Sequence, residues 1–449
     1  MERMGKNSGK KYYFIGIGGI SMSALARYLL LRGNFVSGSD LVVSEQVCAL
    51  REMGVEITVE EDAVSERLKT SDFVIYTDAV SKRNRELLLA QEMGKTIYSR
   101  AELLREICGD FSHILSVAGS HGKTTCTAMC AHIFSAAGAA FCAHIGGEDL
   151  RFQNFHYTGN DYFITEACEY KKNLLKIPAE TAILLNVDKD HLECYNGIEE
   201  LRKTFLDYCH GAKTAVVCLD DEVASQAQNA VSFSIYEKGA NYRAVNLRRE
   251  KERYSFTVRE YGVEVCKIRL AVAGRHNVYN ALAAFAAARS YGFSVDEIKR
   301  GLESFSGVKR RFERMGAYNG AEVICDYAHH PKEILSVVQT ALRVKKGKVY
   351  VVFQPHTYSR TKSLMDEFVE VLRGVNDLLV YKTFPAREEY DEEGDGRTLA
   401  ERVGTCLYAD NLSALRTWLN RTAGEGDLVL FLGAGDIYYL AKYLISQPR

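Results

Sequence analysis

Global bias is what this sequence of 449 residues lacks. Fifty-seven Lys and Arg stand against 58 Asp and Glu, a net charge of −1. No overall field therefore draws the chain to nucleic acid or to an anionic membrane. The 12 cysteines contain no Cys-x-x-Cys pair. Most of them, Cys218 and Cys325 among them, sit in apolar stretches and read as buried free thiols of a reducing compartment. No apolar run reaches the length of a membrane span. Residues 1–11 are polar and basic, and the apolar run after them is short and broken by glycines, unlike a signal peptide. Internal repeats, low-complexity segments and coiled-coil patterns are also missing. These absences lead us to expect a cytoplasmic protein with no nucleic-acid or membrane partner; they set no oligomeric state. What remains is 47% hydrophobic and 26% charged, an ordinary globular composition in a chain long enough for two to four domains.

What the sequence does contain is organised around residues 117–125, Val-Ala-Gly-Ser-His-Gly-Lys-Thr-Thr. An apolar run, Ile114-Leu115-Ser116-Val117, precedes it as a buried strand. A stretch of small and apolar residues, 126–137, follows it as a helix. Strand, glycine turn and helix start make a phosphate cradle, in which backbone N–H groups and the positive helix end face phosphate oxygens. Lys123 reaches the outer phosphates, and the Thr124 hydroxyl suits a magnesium ion. The general P-loop pattern asks for a glycine five residues before the Gly122-Lys123 pair. Val117 stands there, and Gly119 supplies the turn. Gly119, Ser120, His121, Gly122, Lys123, Thr124 and Thr125 are the candidate ATP site.

Ahead of this cradle, residues 12–15 form a strand entering Gly16-Ile17-Gly18-Gly19-Ile20-Ser21. An apolar helix over 22–31 and a second strand ending at Asp40 complete the outline of a Rossmann-like unit. Ser21 replaces the third glycine of the dinucleotide fingerprint, so the turn fits a dinucleotide or any nucleotide diphosphate, with Asp40 on a ribose. Thr77, Asp78, Ala79 and Val80 sit at the end of a further strand, where ligands of open α/β sheets bind. In the middle of the chain, a strand over 162–166 ends in Glu166. Another over 181–185 ends in Asn186-Val187-Asp188-Lys189-Asp190-His191. Magnesium takes oxygen ligands; Glu166 fits, and His191 is a candidate ligand for a second cation. Residues 241–273 alternate apolar and polar and predict an antiparallel meander with one solvated face. Gly274-Arg275-His276-Asn277 then opens an alanine-rich helix. His276 and Asn280 lie about one turn apart there and could face an adenine or its ribose, while Asn277 reads equally as an N-cap.

The basic run Lys309-Arg310-Arg311 marks a further boundary, as a solvated surface or as an anion clamp. Strands at 323–325, 349–353, 377–381 and 428–432, with helices between, predict a third α/β unit. Asp326-Tyr327-Ala328-His329-His330-Pro331 ends the first of these strands. Gln354-Pro355-His356-Thr357-Tyr358-Ser359-Arg360 ends the second, and Gly433-Ala434-Gly435-Asp436 the last. Polar clusters at these ends suggest a second substrate crevice.

Taken together, these motifs resemble the Mur ligase family over nearly the whole chain. The carriers are Gly-Ile-Gly-Gly-Ile-Ser-Met-Ser from Gly16, Gly-Ser-His-Gly-Lys-Thr-Thr from Gly119 and Glu-Ala-Cys-Glu-Tyr from Glu166. They continue with Asn186 through His191, Gly-Arg-His-Asn from Gly274, Arg-Arg-Phe-Glu from Arg310, Asp-Tyr-Ala-His-His-Pro from Asp326, and Phe353 through His356 with Arg360. The resemblance implies three α/β domains. They are a Rossmann-like N-terminal domain (1–108) holding a UDP-sugar, a central P-loop domain (109–305) with an antiparallel β extension, and a Rossmann-like C-terminal domain (306–449) bringing the amino acid. It implies an ATP- and Mg2+-dependent ligase joining L-alanine to the carboxylate of UDP-N-acetylmuramate through an acyl phosphate, in peptidoglycan precursor synthesis. By position, Gly16, Gly18, Gly19, Ser21, Asp40, Thr77 and Ala79 would hold the UDP part. Lys123 and Thr124 would hold phosphates and magnesium, Glu166 and His191 metal, and His276 with Asn280 the nucleoside. Arg311 would touch the ATP phosphates and Asp326 would lie near the nucleotide. His329, His356 and Arg360 would form the alanine site. Catalysis would rest on Lys123, Glu166, His191, Arg311 and His356. One departure stands out: many members carry Glu-Ala-Asp-Glu-Ser-Asp where this chain has Glu-Ala-Cys-Glu-Tyr-Lys from Glu166.

Other readings differ in testable ways. A relative that attaches a tripeptide to the same sugar would share the fold and both nucleotide sites. A folate polyglutamate ligase would not need the first domain. A non-catalytic sensor would not need Lys123, Glu166 and His191 together. An oxidoreductase using Gly16 through Asp40 is disfavoured by the missing third glycine and by the second nucleotide site.

Overall fold

A computed structural model describes residues 9–59, 66–190, 192–386 and 388–447. It has a three-domain α/β architecture, with one sheet in each domain. The first sheet has five parallel strands in the order Glu56–Thr58, Phe35–Ser39, Lys11–Ile15, Phe73–Tyr76, Thr96–Ser99. Its central strand carries Tyr-Tyr-Phe-Ile, all buried, as a strand covered by helices on both faces requires. Chain order reverses beside this strand. Ile15 pairs in register with Ser39 on one side and Tyr76 on the other, so Gly16, Asp40 and Thr77 all follow level strand ends at the switch point of the sheet.

The second sheet has ten strands. At its centre lies His113–Ala118, flanked by Tyr162–Glu166 and by Thr181–Leu184, both parallel to it. Val117 pairs with Glu166 and Ala118 with Leu184. The glycine turn, Glu166 and the segment after Leu184 thus leave the sheet at one level. Further out on one side run Thr214–Cys218, Val231–Ser234, Tyr242–Glu250, Arg253–Glu260 and Val263–Ala273. Two-residue connections join the last three, which only antiparallel neighbours permit. Their alternating burial matches the predicted meander.

On the other side run Phe141–Asp149 and Gln153–Tyr157, which the sequence reading did not anticipate. Phe141–Asp149 carries Gly146, Gly147 and three charged or imidazole side chains, and its pairing slips between His144 and Asp149. A period-2 pattern is therefore hard to see.

The third sheet runs Glu313–Tyr318, Ala321–Asp326, Leu428–Leu432, Val349–Phe353, Asp377–Tyr381, Leu407–Ala409, with only the first strand antiparallel. Leu428–Leu432 thus separates the two strands whose ends carry the histidine clusters. Two apolar cores cover its faces, one around Phe353 and Phe368, the other around Phe431 and Ile437. The unanticipated edge strands Glu313–Tyr318 and Leu407–Ala409 are short or largely exposed.

The chain forms two compact units. One comprises the residues up to Leu247 with Phe256–Arg269 and His276–Ser306; the other comprises Arg248–Ser255, Leu270–Arg275 and Gly307–Arg449. Most of the cysteines are buried, as expected, Cys218 and Cys325 among them; Cys48, inside helix Glu45–Glu52, is exposed, and Cys168, Cys194, Cys266 and Cys406 are half-buried; all the cysteines are free thiols. Among the described residues no helix is long and apolar enough to cross a membrane.

Candidate active site

In the first unit the turn after Ala118 opens the helix Lys123–Ala136, one turn earlier than the apolar pattern alone suggested. Its N-cap is Gly122, at φ +88°, a left-handed conformation open to glycine at no steric cost. A side chain would also collide there, because a Cβ would stand 2.6 Å from Asn280 Oδ1. The cradle is laced to the segment after Leu184. Asn186 O accepts from the Ser120 N–H at 3.0 Å. Asn186 Oδ1 accepts from the His121 N–H at 2.8 Å, and Asn186 Nδ2 donates to His121 O at 3.0 Å. The Asp188 N–H donates to Ser120 Oγ at 2.8 Å, and Asp188 Oδ2 lies 3.3 Å from His121 Nε2. Sequence reading saw Asn186 and Asp188 only as part of a motif; the structure makes them the frame of the loop.

Lys123 folds back over the loop. Its Nζ donates to Gly119 O at 2.5 Å, Ser120 O at 3.2 Å and Glu169 Oε1 at 2.9 Å. Burial works against its charge, but the Glu169 carboxylate and other nearby anionic groups outweigh that and hold the ammonium above the ordinary lysine range. Glu169 was not among the expected site residues; its one signal was a carboxylate three residues after Glu166.

Glu166 ends its strand as expected and accepts from the Gly146 N–H at 2.6 Å. A Cβ at Gly146 would stand 2.5–2.7 Å from the Glu166 carboxyl group, so that approach needs glycine. Thr124 and Thr125 are buried in the first helical turn. Thr124 and Glu166 offer oxygen donors, the kind magnesium prefers. The expected second cation ligand, His191, lies outside the described residues.

The helix His276–Ser290 brings Asn280 against the cradle, buried, with Nδ2 donating to Asn277 Oδ1 at 3.0 Å. Asn277 lies inside the helix rather than capping it, and His276, its first residue, is exposed.

In the N-terminal sheet, Asp40 Oδ2 accepts from the Gly18 N–H at 2.7 Å, while Oδ1 accepts from Leu41 and Val42 N–H at 2.8 and 3.3 Å. The carboxylate thus fixes the glycine turn, and Gly19 N-caps the following helix. Ser21 is tied into the central domain: its Oγ accepts from Arg100 Nη1 at 3.3 Å and lies 2.8 Å from His144 Nε2. On its other side, His144 Nδ1 lies 2.9 Å from Thr165 Oγ1, next to Glu166. Burial, reinforced by Arg100, pushes the His144 pKa down to about 3. The loop carrying Thr77 and Ala79 is also held from the centre, with Lys171 Nζ and Asn173 Nδ2 donating to Asp78 at 2.9 and 3.0 Å. Lys171 and Lys172 are both left-handed, at φ +50° and +58°, a costly conformation for two successive non-glycine residues.

The second unit gathers its own cluster. Arg310 is locked in place, with Nη2 donating to Gly433 O and Gly435 O at 2.9 Å and its guanidinium between the Tyr327 and Tyr438 rings. Of the basic run it is thus neither a solvated charge nor a free clamp. Arg311 lies over the Tyr327 ring at 5.0 Å. Asp326 is buried and accepts from Phe312 and Ala328 N–H at 2.7 and 2.8 Å. Burial pushes its pKa up to about 6, against the pull of Arg311 and those donors. His329 and His356 meet at 5.8 Å between ring centres despite the strand between their own. Arg360 Nη1 lies 3.3 Å from His356 Nδ1, and the His356 ring stacks on Phe384. The structure therefore brings His329, His356 and Arg360 together.

Comparison with known proteins matches three family models in order. They are Mur ligase family, catalytic domain, over residues 11–112; Mur ligase middle domain, over 117–288; and Mur ligase, glutamate ligase domain, over 310–435. The UDP-N-acetylmuramate–L-alanine ligase of Acetivibrio thermocellus is 37% identical, covering 99% of this chain and 97% of its own. That of Clostridium beijerinckii is 38% identical, covering 98% of each. Among solved structures, UDP-N-acetylmuramate-alanine ligase from Thermotoga maritima superposes with a TM-score of 0.83 at 28% identity, over 97% of this chain and 98% of that one.

Proposed function

The chain belongs to the Mur ligase family, and from that premise we propose that it is an ATP-dependent ligase joining L-alanine to the carboxylate of UDP-N-acetylmuramate, in peptidoglycan precursor synthesis. The observation that carries the ligase chemistry is the level exit of the Lys123 cradle, Glu166 and the Asn186 segment from three adjacent parallel strands. The choice of sugar and amino acid is supported by the relatives matched over their full length.

In this reading the sugar carboxylate attacks the γ-phosphorus of ATP, giving an acyl phosphate and ADP. The alanine amine then attacks the acyl carbon, phosphate leaves, and an amide forms with loss of a proton. Carboxylate and triphosphate repel each other, so positive charge at the phosphates lowers the first barrier. Lys123 and the positive N-terminal end of the helix Lys123–Ala136 supply it in the first unit, and we assign Arg311 the same task. Thr124 and Glu166 would hold magnesium, which when bound would neutralise phosphate charge; His191 is assigned there by resemblance. The ATP site would be completed by Gly119, Ser120, His121, Gly122, Thr125, His276, Asn280 and Asp326.

We divide the work among residues 1–108, 109–305 and 306–449. Gly16, Gly18, Gly19, Ser21, Thr77 and Ala79 would receive the UDP-sugar. Asp40 would receive it too, and it also holds the Gly18 N–H in place. His329, His356 and Arg360 would receive alanine, Arg360 pairing its carboxylate.

The test is phosphate release with ATP, magnesium and UDP-N-acetylmuramate, run with L-alanine, glycine, L-serine or L-Ala-D-Glu-meso-diaminopimelate. Release that needs both sugar and L-alanine, with the amide seen by mass, is the expected result. Release with the tripeptide alone would assign a different acceptor, and no release in any arm would remove the catalytic assignment.

A further inference from the structure

We propose that Glu169 is a positioning residue for Lys123: it keeps hold of the ammonium group throughout turnover, while phosphate oxygens displace the two loop carbonyls. The proposal rests on the ATP reading above. An ammonium group has three hydrogens to donate, and Lys123 Nζ meets three acceptors, Gly119 O, Ser120 O and Glu169 Oε1. A phosphate can be bound only if at least one of them lets go. The two carbonyls are neutral groups. Glu169 is different. Its side chain is 1% exposed, and among the described residues its buried Oε2 has no hydrogen-bond partner. Withdrawing Lys123 would leave a buried carboxylate with no cation on either oxygen, which costs far more than an unmet carbonyl. The carbonyls are therefore the contacts that yield.

Glu169 is built to stay where it is. Its carbonyl accepts from the Tyr195 hydroxyl. The chain beyond it is pinned by Lys172 Nζ donating to Glu200 at 2.5 Å and Asn173 Nδ2 to Asp78 at 3.0 Å. The successive left-handed lysines sit within that pinned span. This anchorage is separate from the glycine turn, so Glu169 can fix Lys123 while phosphate oxygens take the place of the carbonyls. A charge placed to match the transition state acts on turnover more than on ground-state binding.

The experiment compares wild type with Glu169→Gln and Glu169→Ala. It measures kcat and the KM for ATP, the Kd for mant-ADP by fluorescence, and the melting temperature. The expected result is a kcat lower by about tenfold or more in both variants, with the mant-ADP Kd within about threefold of wild type and Glu169→Gln still folded at the assay temperature. An unchanged kcat in both variants overturns the proposal. So does a kcat loss matched by an equal loss of mant-ADP binding or by unfolding of Glu169→Gln, because a purely structural contact would behave that way. Wild type failing to bind mant-ADP would instead strike at the ATP site itself and take the proposal with it.

Discussion

Asn280 Oδ1 occupies the space a side chain on Gly122 would need, 2.6 Å from the position of its Cβ. Helix His276–Ser290 thus closes the phosphate loop from behind, and Gly122 is held to glycine twice over, by collision and by its φ of +88°. We predict that Gly122→Ala costs about 2 kcal/mol or more of stability, from overpacking and left-handed strain together. In an Asn280→Ala background the collision goes and the strain stays, so the cost of Gly122→Ala should shrink by roughly 1 kcal/mol. Urea denaturation of the two single variants and the double variant measures this; additive costs would show that the two residues do not meet.

Lys123→Ala should lower turnover about 10²-fold or more, as loss of a charge placed at a developing anion does. It should also destabilise, by about 3–5 kcal/mol, because it strands the Glu169 carboxylate in the interior. Adding Glu169→Gln should restore much of the stability and none of the turnover. Near-normal turnover of Lys123→Ala would remove this lysine from the phosphate site.

His144 and Asp326 should give opposite pH dependences. The folded pKa of His144, about 3, lies below its unfolded value near 6.5. The unfolded chain then binds the extra proton, and stability falls as pH drops below about 6.5, by roughly 2 kcal/mol by pH 5. The folded pKa of Asp326, about 6, lies above its unfolded value near 3.8. The folded chain binds the extra proton there, so this contribution is full below about pH 4 and is lost as pH rises to about 6. His144→Asn should flatten the acid-side loss, and Asp326→Asn the opposite slope. Urea midpoints from pH 4 to 7 that move alike in both variants would contradict these assignments.

Arg360→Ala should raise the KM for L-alanine about 10- to 100-fold, the scale of one charge-assisted hydrogen bond, and leave the KM for ATP nearly unchanged. A change confined to the ATP constant would place Arg360 elsewhere.

Much of this was legible in the residues, and the rest was hidden for identifiable reasons. Short apolar runs ending in glycine or polar clusters located the strands His113–Ala118, Tyr162–Glu166 and Thr181–Leu184, because strands covered on both faces read as continuous hydrophobic segments. The edge strands Gln153–Tyr157 and Glu313–Tyr318 did not stand out, since an edge buries too little for its pattern to show. The identity of side-chain partners was beyond local reading. Glu169 meets Lys123 across 46 residues and Ser21 meets His144 across 123, and sheet order, not sequence spacing, brings them together. Asp40 shows the same limit: a carboxylate at a strand end reads as a ribose ligand, and only the structure shows that it also braces a glycine turn.

The hydrogen bonds that frame the loop at Ser120 and His121 come from Asn186 and Asp188, at the end of a neighbouring strand. Part of the entropy of fixing that loop is therefore spent when the sheet folds rather than when a triphosphate binds. Affinity for the nucleotide then depends on a neighbouring strand that need never touch it. Inheritance works the same way: a change at residue 186 would present as poor substrate binding although its cause lay in the framing of the loop.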